Sequence, residues 1–168
     1  MPATIPQTFL TYSTELITHS ETKINACLAR LTEAQILHRN GDYENSIANL
    51  LLHLSGNIRQ WIMHGVGDQP DVRTRDDEFS LTPTLSVPEI RQLFAATLNE
   101  AREVIAALPD DRLLTLTDPQ PGGGWGAVTI LQAIYRIVSH LELHAGQIIL
   151  LTKQLTHTDL DLSIPRKR

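Results

Sequence analysis

A single cysteine, Cys27, stands among 168 residues, so no disulfide can form within the chain and a zinc site built on thiolates is excluded. Basic residues are also scarce. The 14 Lys and Arg are outnumbered by 19 Asp and Glu, the formal charge is -5, and no Lys/Arg block is long enough to track a phosphate backbone. The sequence therefore predicts no nucleic-acid partner. Only Pro165 to Arg168 is locally basic, which reads as a solvated terminus. No stretch reaches the ~18 consecutive apolar residues that a spanning helix needs. Met1 to Leu10 has neither the basic segment nor the apolar run of a signal peptide. The expectation is a cytoplasmic chain with no membrane segment. There is no internal repeat and no low-complexity tract.

What is present is a hydrophobic content of 42%, enough for one ordinary domain over residues 1–168 to bury a core unaided. The apolar residues recur at helical spacing in four segments. Between Thr8 and Leu31, Leu10, Ile17, Ile24, Leu28 and Leu31 form one stripe. From Glu44 to His64, Ile47, Leu50, Leu51, Leu54, Ile58, Trp61 and Ile62 form a second, which Gly65 and Gly67 stop. Ser86-Val87-Pro88-Glu89 is a capping box ahead of Ile90, Leu93, Phe94, Leu98, Ala101, Ile105 and Leu108, with Pro109 as terminator. Thr129 and Gln132 repeat the capping pattern ahead of Ile130, Ile134, Ile137, Leu141, Ala145, Ile148 and Leu155. The predicted helices are thus 8–31, 44–64, 87–108 and 129–155. Four such stripes bury each other most economically as an all-α, up-down-up-down four-helix bundle. The connections from Gly65 to Leu85 and from Pro109 to Val128 exceed what bundle turns require, and loops of that length carry function. In the second, Leu113 to Leu116 and Trp125 to Val128 are a candidate short ribbon.

The chemistry sits in the histidines. His140 and His144 are four apart on the last helix, so their side chains leave adjacent turns of one face. With 7 histidines in the chain, chance supplies roughly 0.3 such pairs, so spacing alone does not make a site. Both, however, border the apolar stripe, joined there by Gln147. On the second helix His53, Asn57, Gln60 and His64 likewise form a polar line beside the apolar face. Imidazoles of His53, His140 and His144 would hold one divalent ion and leave open positions for water or substrate. The carboxylate-bridged di-iron alternative requires Glu-x-x-His, which the sequence lacks.

Other residues read more plainly. His19, His38, His64 and His157 are ordinary surface or packed histidines, with His64 able to approach the rim of the site. Cys27 and Trp61 belong to the core. Gly122-Gly123-Gly124 lacks the Lys-Ser/Thr of a phosphate loop and reads as a flexible lead-in to the fourth helix. The run Asp71 to Phe79 mixes charges densely and reads as a solvated connection, with Arg73 or Arg75 available to an anionic substrate.

These features together resemble the DinB-like superfamily, including its YfiT-like members. The residues that carry the resemblance are Asn49-Leu-Leu-Leu-His53-Leu-Ser-Gly-Asn57, the charged loop Arg73 to Phe79, and His140-Leu-Glu-Leu-His144-Ala-Gly-Gln147-Ile148. The closing His-x-x-Gln-Ile is the most specific part. The resemblance implies a four-helix bundle whose metal is held by one histidine of the second helix and a His-x-x-x-His pair of the fourth. It further implies a metal-dependent transferase or isomerase that uses a low-molecular-weight thiol such as bacillithiol or mycothiol.

The resulting expectation is one divalent ion, zinc, nickel or manganese, on His53, His140 and His144, with Asn57, Gln147 and Arg75 as substrate-binding residues. The leading activity is thiol-dependent S-transfer to a small molecule. A metal-activated hydrolase and a non-catalytic metal-binding or association protein are the alternatives. A homodimer is expected, since the outer seams of so small a bundle are apolar.

Overall fold

Capping chemistry decides where each helix begins. In the computed structural model, which describes residues 3–121 and 124–162, Thr4 caps the first helix, α1 (Ile5–Leu28), and exchanges hydrogen bonds with Gln7. The same reciprocal arrangement opens α3 (Ile47–Ile58) at Ser46 and Asn49, and α5 (Ile130–Thr156) at Thr129 and Gln132. For α4 (Val87–Ala106) the Ser86 N–H donates to Glu89 Oε2 at 2.8 Å, with Pro88 in the first turn. The predicted starts at Ser86 and Thr129 are therefore present. Gly122, Gly123 and Pro165 to Arg168 lie outside the described residues, and with them the readings of a flexible lead-in and a basic tail.

Helix α1 begins at Ile5 rather than Thr8 and α3 at Ile47 rather than Glu44, and two further features depart from expectation. The first helix ends at Leu28 rather than Leu31, because Thr32 and Gln35 form a further capping box that starts a short helix, α2 (Glu33–Leu37). Ile36 of α2 is fully buried, so this extra turn adds to the core. The second change lies beyond α3, where the helix continues to His64 as a π-helical turn over Arg59–His64. There Gly65 N–H reaches Gln60 O at 3.1 Å and Gly67 N–H reaches Ile62 O at 2.8 Å, both five residues back. Such a turn carries more residues than an α turn and so rotates the side chains beyond it. The polar line that begins at His53 is broken there: His64 Nδ1 instead faces Gln69 O at 2.7 Å.

The molecule is mostly helical with little sheet. Helix α1 packs on α4 and α5, and α3 packs on the same two helices. The stripes meet between them: Ile17, Ile24, Leu51, Leu54, Phe94, Leu98, Ile134 and Leu141 are each at most 1% exposed. Cys27 and Trp61 lie in this core as expected. Truncating one such leucine to alanine costs about 2–5 kcal/mol through lost transfer energy and the cavity left behind. The ribbon is present but displaced. Leu116–Thr117 (β1) pairs antiparallel with Val128–Thr129 (β2), Leu116 opposite Thr129. Leu113 is in a 3-10 turn over Asp110–Leu114 and packs into the core, while Trp125 sits between Gly124 and Gly126, both at positive φ, which no strand accommodates. Among the described residues no helix is long and apolar enough to cross a membrane.

Candidate metal centre

Helical spacing alone presents two of the ligands. His140 and His144 are successive outward turns of α5, their ring centroids 4.4 Å apart and their planes almost perpendicular. The third comes from α3, which packs against α5 and brings the His53 ring to 5.1 Å from each of the other two. One ligand nitrogen from each of the three lies within 4.8 Å of the others. His53 Nε2 and His140 Nε2 are 3.0 Å apart. Two imidazole nitrogens bound ~2.0–2.1 Å from a common ion, at angles between a right angle and a tetrahedral one, are separated by roughly 2.9–3.4 Å. The His53–His140 pair thus already has the spacing of two ligands on one ion, and the His144 nitrogen lies within 4.8 Å of both.

His53 is oriented by a chain of buried polar groups. Its Nδ1 lies 3.0 Å from Glu78 Oε2, and because an ionised carboxylate only accepts, Nδ1 carries the proton and Nε2 presents its lone pair to the site. Glu78 is held in turn by Arg73 in a two-pronged pair, Nε to Oε1 at 2.7 Å and Nη2 to Oε2 at 2.8 Å. The Arg73 side chain is only 3% exposed, and its Nη1 donates to Gln60 Oε1 at 2.9 Å. Gln60 donates onward to Asp71 and receives a bond from Gln120. Burial pushes the Glu78 carboxyl up, yet the hydrogen bonds from Arg73 and His53, with their charges, outweigh it and hold Glu78 below the usual carboxylate range. Phe79 completes the support, its ring tilted against His53 at 5.0 Å between centroids.

This network needs a glycine in the middle of α3. A Cβ on Gly56 would overlap Glu78 Oε1, so only a residue without a side chain lets the carboxylate approach the helix. The loop read from sequence as a solvated connection is therefore half structural. Glu78 is 6% exposed within a 3-10 turn over Arg75–Phe79, whereas Asp76 and Asp77 remain exposed. Glu78 is the residue that sequence reasoning missed, and the mid-helix Gly56 was the signal available for it.

The α5 pair is held more simply. His144 Nδ1 lies 2.6 Å from Gln147 Oε1, which as a pure acceptor again leaves Nε2 free to ligate. Burial pushes both imidazoles toward the neutral form that a metal requires. His140 is lowered to about 4, first by burial, then by His144, His53 and Arg136. His144 is lowered by burial and by His53, against the opposing bond to Gln147.

The remaining predicted residues fall at varied distances from this centre. Gln147 is exposed and touches His144. Asn57 is 7% exposed, one turn beyond His53. Arg75 is exposed and lies over the Phe79 ring at 4.9 Å, outside the three-histidine cluster. It is Arg73 whose guanidinium reaches the site, through Glu78. His38 faces Asn40, His157 is the left-handed cap of α5, and His19 is exposed; none joins the three-histidine cluster.

The model of the DinB superfamily matches residues 16–148. No curated protein matches the chain. A solved structure described as the conserved protein of locus from Enterococcus faecalis shares the fold, with a TM-score of 0.68 at 14% identity over 88% of this chain and 97% of that one.

Proposed function

The chain belongs to the DinB superfamily, and on that footing we propose that it is a metal-dependent enzyme that activates a low-molecular-weight thiol for transfer to a small electrophile. The observation that carries this reading is the convergence of three imidazoles, one of them oriented by Glu78. A divalent ion on three protein ligands keeps an open position, where it lowers the pKa of a coordinated thiol or water. Zinc, nickel and manganese all accept imidazole.

The protein's own residues prepare that position. Burial disfavours the charged form of His140 and His144 and so favours their lone pairs, and Glu78 engages Nδ1 of His53 so that its Nε2 faces the site. Gln147, exposed beside His144, is taken to meet the substrate, together with Asn57 and Arg75. The ligand is a small molecule rather than a nucleic acid, in keeping with the chain's net negative charge.

The same reading takes the four long helices as an up-down-up-down bundle, supported by the pairing of α1 and α3 with both α4 and α5. It takes the protein as cytoplasmic and as a homodimer. An apolar groove between α1 and α5, lined by Phe9, Leu16 and Val138 and flanked by Tyr12 and Tyr135 at 59% and 67% exposure, supports the association. Light scattering that returned the monomer mass at every concentration would remove the dimer.

Cobalt-substituted protein tests the activity. Addition of a thiol is expected to shift the visible spectrum of the site. A spectrum untouched by every thiol, together with hydrolysis of an ester or amide, would assign the protein to hydrolysis instead.

A further inference from the structure

One half-buried arginine near the site has no acceptor among the described residues. The half-buried arginines Arg39, Arg59, Arg73, Arg102 and Arg112 each donate to an oxygen acceptor, on Asn49, Glu100, Glu78, Glu21 and Asp68 respectively. Arg136, equally half-buried, donates to none of the described residues. Its guanidinium carbon instead lies over two indoles, 3.7 Å from the Trp125 ring centroid and 5.1 Å from that of Trp61. Ring faces attract the cation but occupy none of its five N–H donors as a carboxylate would. Trp61 adds a buried Nε1 that also has no acceptor among the described residues. This corner therefore holds donors that no described residue accepts.

Its place in the fold relates Arg136 to the histidine cluster. Arg136 is four residues before His140 on α5, so the two side chains share a face on adjacent turns, and the Arg136 charge acts on His140. Trp125, 57% exposed, reaches over Arg136 from a loop whose neighbours Gly124 and Gly126 have φ of +86° and +66°. A tryptophan is thus carried over the cation by backbone that L side chains rarely adopt. The planar fork of a guanidinium matches a carboxylate, which it can bind in a two-pronged manner.

We propose that Arg136, seated beneath Trp125 one turn from His140, recognises a carboxylate on the small molecule that the site takes. The inference rests on the proposed thiol chemistry for the identity of the other end of that molecule, and its test separates the two. The probes are 3-mercaptopropionate and its neutral amide, titrated into metal-loaded protein with tryptophan fluorescence, since Arg136 lies over both indoles, and with the cobalt spectrum as a second readout. Succinate in metal-free protein is the third arm, since it reads the arginine without a thiol or an ion.

Wild type is expected to bind the carboxylate thiol about tenfold tighter than the amide. Arg136→Gln should erase that preference while retaining amide affinity, and Arg136→Lys should restore part of it. The variant comparison matters because an ion would itself attract a carboxylate. Succinate should quench wild-type fluorescence and leave Arg136→Gln unchanged. A preference that survives Arg136→Gln, or succinate that perturbs neither protein, overturns the inference. A silent cobalt spectrum with an intact succinate response would keep Arg136 as the carboxylate site and overturn only the thiol reading.

Discussion

The two sides of the histidine cluster are built in different ways. On α5, two ligands arise from spacing within one helix, and a single exposed residue, Gln147, orients one of them. On α3, one ligand is oriented by a relay that runs from Glu78 through Arg73 and Gln60 and draws on three separate segments of the chain. The first side costs the fold little, since it uses a helix that forms in any case. The second buries an ion pair, whose desolvation is offset only while every member is present. The α3 side should therefore respond far more sharply to mutation of its supports.

The largest such effect is expected at Glu78. Glu78→Ala leaves the Arg73 guanidinium buried without its acceptor, which should cost about 3–5 kcal/mol of stability. It should also weaken metal binding about 10- to 100-fold, because His53 loses the group that fixes its tautomer. Urea melts and competition with a chelator measure the two effects. Gly56→Ala should reproduce the loss of metal affinity without touching any polar group, since its Cβ would occupy the place of Glu78 Oε1. Unchanged affinity in Gly56→Ala would mean that Glu78 does not need its observed position.

A smaller effect is expected from pH in the metal-free protein. The folded pKa of His140, about 4, lies below the ~6.5 of an unfolded histidine, so between these values the unfolded chain binds more protons. Stability contributed by the neutral ring is fully present above pH ~6.5 and is lost as pH falls toward 4, roughly 3 kcal/mol from a shift of that size and on the order of 2 kcal/mol once solvent screening of the half-buried ring is allowed for. Denaturant midpoints at pH 7.5 and 5 in the presence of chelator should show part of that loss, and His140→Gln should reduce it. A midpoint independent of pH over that interval would contradict the burial ascribed to His140.

The smallest effect is expected on the α5 side. Gln147→Ala removes one acceptor from a half-exposed ring that helix geometry already aims, so metal affinity should drop only a few-fold. A loss as large as that of Glu78→Ala would erase the contrast between the two sides.

The same contrast explains how much is legible in the sequence. The stripes Ile47 to Ile62 and Ile130 to Ile148 obey one short period, and the His140–His144 pair obeys it too, so those elements can be read directly. The α2 turn is also written, in Thr32 and Gln35, but it is too short to show periodicity. The π turn at Arg59–His64 leaves no mark in the apolar pattern, so the predicted polar line runs on to His64 although the backbone turns that ring toward Gln69. Glu78 is hidden for a different reason. It lies in a run of charges where Asp76 and Asp77 are solvated, and only the packing of the loop on Gly56 separates it from them.

The central claim is that three imidazoles, and no other histidines, hold one divalent ion. Metal stoichiometry and affinity after chelation and reconstitution test it directly, in wild type and in His53→Ala, His140→Ala, His144→Ala and His157→Ala. The account predicts one ion per chain in wild type and in His157→Ala, and affinity lower by orders of magnitude in each of the other three, since two protein ligands remain. Full occupancy retained by His140→Ala would contradict it.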